Sequence, residues 1–109
     1  PNLAVIKKDG TRELFDREKL ANATHRAVGK FFKSELEVED IINDVEAKLY
    51  DLGENEIPSK KIGELVLDQL AEKNEVAYVR FASVFYKFET LNDFVKILET
   101  RKKAGEQEL

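Results

Sequence analysis

The sequence of 109 residues contains no cysteine, methionine or tryptophan and only one histidine, His25. The absence of cysteine excludes a disulfide scaffold, a cysteine nucleophile, a zinc ribbon and an iron–sulfur site from these residues. A single histidine leaves no histidine-rich metal site, and only His25 could join a Ser-His-Asp set. The carboxylates are scattered at helical surface spacings and form no pair suited to acid and base catalysis. The composition therefore favours a binding or regulatory module over an enzyme.

Long apolar runs and a secretory signal are also missing from the sequence. No stretch of about 18 apolar residues occurs, and the N-terminus lacks the basic-then-apolar pattern of a signal peptide. The length suits one domain, and the formal net charge of −4 argues against an extended nucleic-acid surface, which would need many lysines and arginines. We expect a cytoplasmic protein that does not bind membranes. Pro1 either follows a removed initiator methionine or begins a chain cut from a longer one.

The first half of the chain predicts a β-hairpin followed by two helices. Residues 3–15 are typical of a hairpin, because apolar segments flank Asp9-Gly10, a dipeptide that tolerates the positive φ of a tight turn. Asp16 is the predicted N-cap of a helix over roughly 17–33, since its carboxylate can accept a first-turn N–H. A second helix begins with the capping box Ser34-Glu35-Leu36-Glu37.

The second half predicts a further strand and three helices. Glu56-Ile57 is kept extended by the proline that follows and could add a third strand to the hairpin. Ser59 is the predicted cap of the next helix. The run from Val76 to Phe88 is apolar nearly all round, which indicates the central helix of the core, and Thr90 begins a last helix. The polar stretch from Thr100 to Leu109 indicates a frayed end or a linker.

These elements predict an α+β fold that is mostly helical, a helical bundle capped by a β-hairpin or a three-stranded sheet. The predicted domain covers residues 4–99. Residues 100–109 form a charged C-terminal tail in this interpretation.

Lysines gather at points that such a fold could bring together. Lys7 and Lys8 precede the hairpin turn, and Lys19 lies in the first turn of a helix, where the helix dipole disfavours a cation. The sequence Ser59-Lys60-Lys61 opens another helix, where backbone N–H groups can hold phosphate. One interpretation is an exposed hairpin tip and an ordinary helix cap with surface lysines. The other is a polyphosphate site made by Lys7, Lys8, Lys19 and Ser59.

Arg80 is the only cation inside the apolar run of the predicted central helix. A buried guanidinium must be paired, so its neighbour is either an internal carboxylate or a bound anion. The internal carboxylate is the commoner of these two partners. His25 lies halfway along the first predicted helix and has no assigned role.

Three segments of the sequence form a recognisable pattern. The first, residues 5–20, reads VIKKDGTRELFDREKL, the second, residues 57–66, reads IPSKKIGELV, and the third, residues 75–84, reads EVAYVRFASV. In this order they resemble the ATP-cone family of nucleotide-sensing domains. ATP-cones lie at the N-terminus of many ribonucleotide reductase large subunits, and the similarity is strongest to the ATP-cone of the bacterial transcriptional repressor of ribonucleotide reductase genes. The similarity extends from about Val5 to Leu98.

The resemblance implies a bundle that binds ATP or dATP, usually with Mg²⁺, and that changes its self-association with the bound nucleotide. It implies no catalysis and no metal held by the protein itself. Matching positions would place Lys7 and Lys8 on the phosphates, Ser59 and a helix N-terminus at Gly63 beside them, and Lys19 on the ribose or phosphates. The full predicted nucleotide site consists of Val5, Lys7, Lys8, Glu13, Phe15, Asp16, Lys19, Leu20, Ser59, Gly63 and Phe85.

Two departures from the family pattern affect what the resemblance implies. Repressors of this type usually have Tyr-Arg after Ala-Ser-Val, whereas Phe85-Tyr86 follow Val84 here. A hydroxyl and a guanidinium that could touch the ligand are therefore missing at their usual positions, and Tyr86 or Lys87 would have to substitute for them. Their DNA-binding zinc ribbon needs four cysteines, so no DNA binding is expected from these residues. The expected function is control of ribonucleotide reductase expression or activity by ATP or dATP in a homo-oligomer. The alternative is a protein-interaction module that has lost nucleotide binding.

Overall fold

A computed structural model describes the backbone of residues 2–108 and the side chains of residues 2–101. The mostly helical α+β fold predicted from the sequence is confirmed. A short 3₁₀ turn, Gly29–Phe31, lies between the first two helices. In chain order the strands and helices are β1 (Ala4–Ile6), β2 (Arg12–Leu14), α1 (Arg17–Val28), α2 (Glu35–Asp51), β3 (Glu56–Pro58), α3 (Ser59–Lys73), α4 (Glu75–Phe85) and α5 (Leu91–Glu108).

The sheet has three strands in the order β2-β1-β3, and it confirms both the predicted hairpin and the predicted third strand. Gly10 has a φ of 86° at the hairpin turn, and the Asp9 carboxylate accepts a hydrogen bond from the Thr11 N–H at 2.9 Å. β1 pairs antiparallel with β2 and parallel with β3, with Ile6 opposite Pro58. The residues that follow β1 and β3 therefore leave the sheet at the same end.

The predicted starts of α1 and α2 are confirmed by their caps. The Asp16 carboxylate accepts the Lys19 N–H at 3.2 Å, and Ser34 and Glu37 form the reciprocal capping box. The predicted end of α1 near residue 33 is wrong. The helix stops at Val28, whose φ of −132° takes the backbone out of the helical region, and a 3₁₀ turn follows.

The hydrophobic core is centred on α2 and α3, not on α4. Fully buried side chains of α2 and α3 meet Val28 of α1 in one cluster. The prediction that the run from Val76 to Phe88 is the central helix of the core is wrong, because Val76 and Val84 are 63% and 52% exposed. α4 buries one face only, through Ala77, Tyr78 and Ala82.

Arg80 lies on the outer face of α4, one turn from Val76 and one turn from Val84. Its side chain is exposed, and it forms no ion pair with any side chain in the described part of the chain. The prediction of a buried guanidinium is therefore wrong. Val76 and Val84 face solvent together with Arg80. A continuous apolar run in the sequence therefore did not mean that every face of the helix is buried.

α5 begins as predicted and continues further than predicted. The Thr90 hydroxyl accepts the Asp93 N–H at 3.3 Å, and the Asp93 carboxylate accepts the Glu89 N–H at 2.8 Å. The Asp93 carboxylate also accepts the Thr90 N–H at 3.1 Å, and the bonds from Glu89 and Thr90 hold the pKa of Asp93 below its usual value, with the Glu89 N–H the largest cause. The backbone is helical up to Glu108, so α5 includes most of the polar stretch that follows residue 99. The domain limit at residue 99 stays a prediction.

Asn74 joins α4 to the 3₁₀ turn through its side-chain amide. Its Oδ1 accepts the Ala77 N–H at 3.0 Å and so caps α4, and its Nδ2 donates to the Phe31 carbonyl at 2.9 Å. We expect Asn74→Ala to lower the free energy of unfolding by about 1–3 kcal/mol, because it removes a cap and leaves a part-buried carbonyl without its donor. Asn74→Ser keeps a capping oxygen but is too short to reach Phe31, so its loss should be smaller. Urea unfolding measures both, and equal losses would contradict this division of roles.

Gly63 lies beneath the ring of Phe85, where α3 and α4 pack most closely. A Cβ at Gly63 would overlap three carbons of that ring, whereas a Cβ at Gly29 would meet His25 at an ordinary 3.8 Å. We expect Gly63→Ala to lower the free energy of unfolding by about 1–3 kcal/mol through overpacking. Gly29→Ala is the matched control and should be neutral or stabilising by up to about 1 kcal/mol, since alanine favours helical backbone. Thermal unfolding distinguishes the two, and a neutral Gly63→Ala would contradict the close packing.

Candidate functional site

Two cavities adjoin at Ser59 and together form the candidate site. The first has a volume of about 180 Å³ and lies between the hairpin, α1 and α3; we call it the apolar cavity. The second has a volume of about 300 Å³ and lies between the hairpin turn, the start of α3 and the end of α4; we call it the cationic cavity. The apolar cavity is lined by Val5, Glu13, Leu14, Phe15, Asp16, Lys19, Leu20, Ala23, Ser59 and Ile62. The cationic cavity is lined by Lys8, Ser59, Lys60, Phe85, Tyr86 and Lys87.

The structure brings together all of the predicted site residues except Lys7 and Gly63. Lys7 is exposed at the end of β1 and lines neither of these cavities. Gly63 is buried in the second turn of α3, which begins at Ser59, so the prediction of a helix N-terminus at Gly63 is wrong. Gly63 borders the site indirectly, because the Phe85 ring that lines the cationic cavity lies on it.

The apolar cavity has walls suited to a flat, mostly apolar group. Val5 of β1 is buried, and Phe15 and Leu20 are partly buried beside it. The Phe15 ring makes an edge-to-face contact with the Tyr50 ring, with 6.3 Å between the ring centroids, and this contact helps to orient it. Ile62 of α3 completes the apolar lining. Apolar walls with few polar groups are the usual lining of small-molecule sites.

Glu13 compensates the charge of two lysines at the rim of the apolar cavity. The Lys19 ammonium donates to Glu13 Oε1 at 2.9 Å, and Lys7 Nζ lies 3.3 Å from Glu13 Oε2. The hydrogen bond from Lys19 is the largest cause of a lowered pKa for Glu13, and the same bond raises the pKa of Lys19. Both shifts favour the charged forms of Glu13 and Lys19. Lys7 and Lys19 already have a carboxylate partner, which makes them weaker candidates for binding an anion than the sequence predicted.

The lysines of the cationic cavity differ from Lys7 and Lys19. Lys8, Lys60 and Lys87 form no ion pair with any of the side chains described, residues 2–101. The cavity lining contains no carboxylate. Three like charges around one cavity repel each other, and a bound anion would remove that repulsion. Lys60 and Lys87 were not in the final predicted site, because their approach to Lys8 depends on the strand pairing and on the end of α4.

The start of α3 adds backbone donors to the same cavity. Ser59 is the first helical residue, and the N-cap position is occupied by Pro58, which makes no side-chain cap. The prediction that Ser59 caps this helix is therefore wrong. The first-turn N–H groups of α3 have no side-chain acceptor at the cap, and such groups bind anions together with the positive end of the helix dipole.

The end of α4 forms the third side of the cationic cavity. The Phe88 N–H donates to the Ser83 carbonyl at 2.9 Å, and the Lys87 N–H donates to the Val84 carbonyl at 3.3 Å. This pattern ends the helix with Lys87 in the left-handed region, at a φ of 55°. Tyr86 packs against Phe85 at 4.9 Å between ring centroids, and burial raises the pKa of the Tyr86 phenol, which is neutral at physiological pH.

No group of three or more His, Asp or Glu side chains within the described range is placed to hold a metal ion. No described helix has the length and apolar character needed to cross a membrane.

Comparison with known proteins identifies the family. The family described as ATP cone domain matches residues 3–91. Proteins named transcriptional repressor NrdR are similar over most of the chain. The relative from Streptococcus sanguinis is 43% identical over 105 residues, which cover 96% of this chain and 67% of the relative. The relative from Prochlorococcus marinus is 41% identical over 107 residues, which cover 98% and 67%.

A third relative, named transcriptional repressor NrdR 2, from Paramagnetospirillum magneticum, is 47% identical over 93 residues, which cover 85% of this chain and 61% of the relative. This chain thus spans about two thirds of the length of these relatives. The matched segment contains the hairpin, the start of α3 and the end of α4, which together line both cavities. The chain belongs to the ATP-cone family.

Proposed function

We propose that this chain is a regulatory domain that senses adenine nucleotides by binding ATP or dATP. The observation that supports this most directly is the cationic cavity, in which Lys8, Lys60 and Lys87 lie beside the uncapped start of α3 without a compensating carboxylate. Its adjacency to the apolar cavity at Ser59 suits a ligand with a flat apolar end and a polyphosphate end. ATP and dATP have this form, and ATP-cone membership supports them as ligands.

In this proposal the two cavities bind different parts of the nucleotide. The base and sugar occupy the apolar cavity against Val5, Phe15 and Leu20, with the Glu13 carboxylate at the rim as a hydrogen-bond acceptor. The phosphates pass Ser59 into the cationic cavity, where ammonium groups and backbone N–H groups are the donors. Mg²⁺ would arrive with the phosphates, since the described residues provide no metal-binding cluster of their own.

The biological role proposed here is control of ribonucleotide reductase expression or activity in the cytoplasm. The named repressors among the relatives support regulation as the role. Regulation would proceed through self-association into homo-oligomers, because ATP and dATP can shift that equilibrium by their differential affinity for the assembled states. DNA binding is not assigned to these residues, and no catalytic step is proposed for them.

A second candidate function is a protein-interaction module that does not bind nucleotide. The observation that favours it is the row of exposed apolar side chains on α5, where Leu91, Val95 and Leu98 are 84%, 48% and 54% exposed. Exposed apolar patches commonly mark interaction surfaces. One simple measurement distinguishes the two functions, which is the change in melting temperature on addition of ATP or dATP.

We expect ATP or dATP with Mg²⁺, at about 100 times its dissociation constant, to raise stability by about 2.7 kcal/mol, since a ligand that binds only the folded state stabilises it. For a domain of this size the melting temperature should rise by roughly 10 °C. Differential scanning fluorimetry measures the shift. An unchanged melting temperature with both nucleotides would contradict nucleotide binding and favour the interaction module.

We expect Lys8→Ala to weaken ATP binding by at least tenfold, because a hydrogen bond to a charged group contributes about 1.5–3 kcal/mol. Lys7→Ala is the matched control. It removes the same charge from the neighbouring position, but Lys7 contacts Glu13 and does not line the cationic cavity. Its effect should stay below about threefold. Calorimetric titration compares the two, and a loss at Lys7 as large as the loss at Lys8 would place the phosphates elsewhere.

A further inference from the structure

Lys87 has a backbone conformation that its side chain does not favour. Among residues 2–108, it is the one non-glycine residue with a positive φ, while Gly10 and Gly53 occupy the other positive-φ positions. The left-handed region favours glycine and asparagine, and a lysine there is destabilised relative to glycine. A lysine at such a position motivates the question of what its side chain contacts.

The geometry of this helix end brings Lys87 into contact with the candidate site. Because α4 ends at Phe85 and the chain turns through Lys87, that residue lines the cationic cavity opposite the hairpin and the start of α3. It is the only cation that the end of α4 adds to the described lining. Its neighbour Tyr86 lines the same cavity with a neutral phenol, which can donate one hydrogen bond but adds no positive charge.

The cationic cavity lies beyond Ser59, the residue it shares with the apolar cavity. A ligand whose base occupied the apolar cavity would reach Ser59 with its first phosphate and the three lysines with the phosphates that follow. An ammonium group in the cationic cavity would contact the outer phosphates and would make little contact with a single phosphate at Ser59.

We propose that Lys87 binds the outer phosphates of the nucleotide and thereby makes affinity depend on the number of phosphates. The proposal rests on the function proposed above and adds a residue and a specificity to it. Lys87 takes the role of third cation in the cavity, beside Lys8 and Lys60. The left-handed turn positions Lys87 there and lowers the stability of the fold. A substitution that removes the ammonium group and also suits the positive φ should therefore weaken binding and should not lower stability.

Lys87→Gly is that substitution, because glycine suits the positive φ and removes the ammonium group. We expect calorimetric titration to show ATP and inorganic tripolyphosphate bound at least tenfold more weakly by Lys87→Gly than by the unsubstituted chain. AMP binding should change by less than about threefold. The melting temperature without ligand should be unchanged or higher, since the backbone strain is relieved.

Two control variants separate charge from backbone. Lys87→Arg keeps the charge at the same φ and should retain ATP affinity within about threefold. Lys61→Ala removes a cation from the same first turn of α3 as Lys60, but Lys61 does not line the cationic cavity, so ATP affinity should stay nearly unchanged.

Each other outcome overturns the proposal in a distinguishable way. If the unsubstituted chain binds ATP and Lys87→Gly binds it equally well, Lys87 is not a phosphate ligand, and the proposed function stands. If Lys87→Gly weakens AMP and ATP by the same factor, the turn acts through the fold and not through the outer phosphates. If the unsubstituted chain binds neither ATP nor tripolyphosphate, the proposed function and the role of Lys87 both fail.

Discussion

The candidate site depends on the parallel pairing of β1 with β3. The register places Ile6 opposite Pro58, so Lys7-Lys8 and Ser59-Lys60 leave the sheet side by side. Each strand has three residues, and β3 passes directly into α3. The sheet therefore fixes the start of α3 against the hairpin, and Pro58 occupies the cap position without a side chain that could satisfy the first-turn N–H groups. A short sheet thus leaves backbone donors and two lysines around one opening.

The lysines near this opening fall into two groups with different roles. Glu13 holds Lys7 and Lys19, which links the hairpin to α1 and leaves little uncompensated charge at the rim of the apolar cavity. Exposed ion pairs of this kind contribute little to stability, so their effect is mainly to orient the side chains. No carboxylate lines the cationic cavity around Lys8, Lys60 and Lys87. Under the proposed function, this contrast assigns the phosphates to the cationic cavity and the base and sugar to the apolar cavity.

Local signals in the sequence predicted much of this structure, and tertiary contacts account for the rest. Asp9-Gly10, the capping box at Ser34 and the Pro58 effect on β3 act within a few residues, and each was predicted correctly. The apolar run in α4 was misread, because periodicity shows that residues are apolar but not which faces neighbouring helices cover. The same error led to the prediction that Arg80 is buried, whereas its side chain is exposed. The resemblance to a family located most of the lining residues, whereas the partners of Lys7 and the approach of Lys60 and Lys87 needed the strand register and the α4 turn.

Among the side chains described, no ion pair joins the three segments that line the cationic cavity. These segments are the hairpin turn, the start of α3 and the end of α4, so a polyphosphate would be the group that links all three. The end of α4 continues into α5 through aromatic contacts, with 4.9 Å between the ring centroids of Phe85 and Tyr86 and 4.9 Å between those of Phe88 and Phe94. Phe94 lies on the same helix as the exposed Leu91 and Leu98. Under the proposed function, a nucleotide that fixes the α4 turn would also restrict α5 through these aromatic contacts, and the exposed apolar side chains of α5 would be the surface that responds.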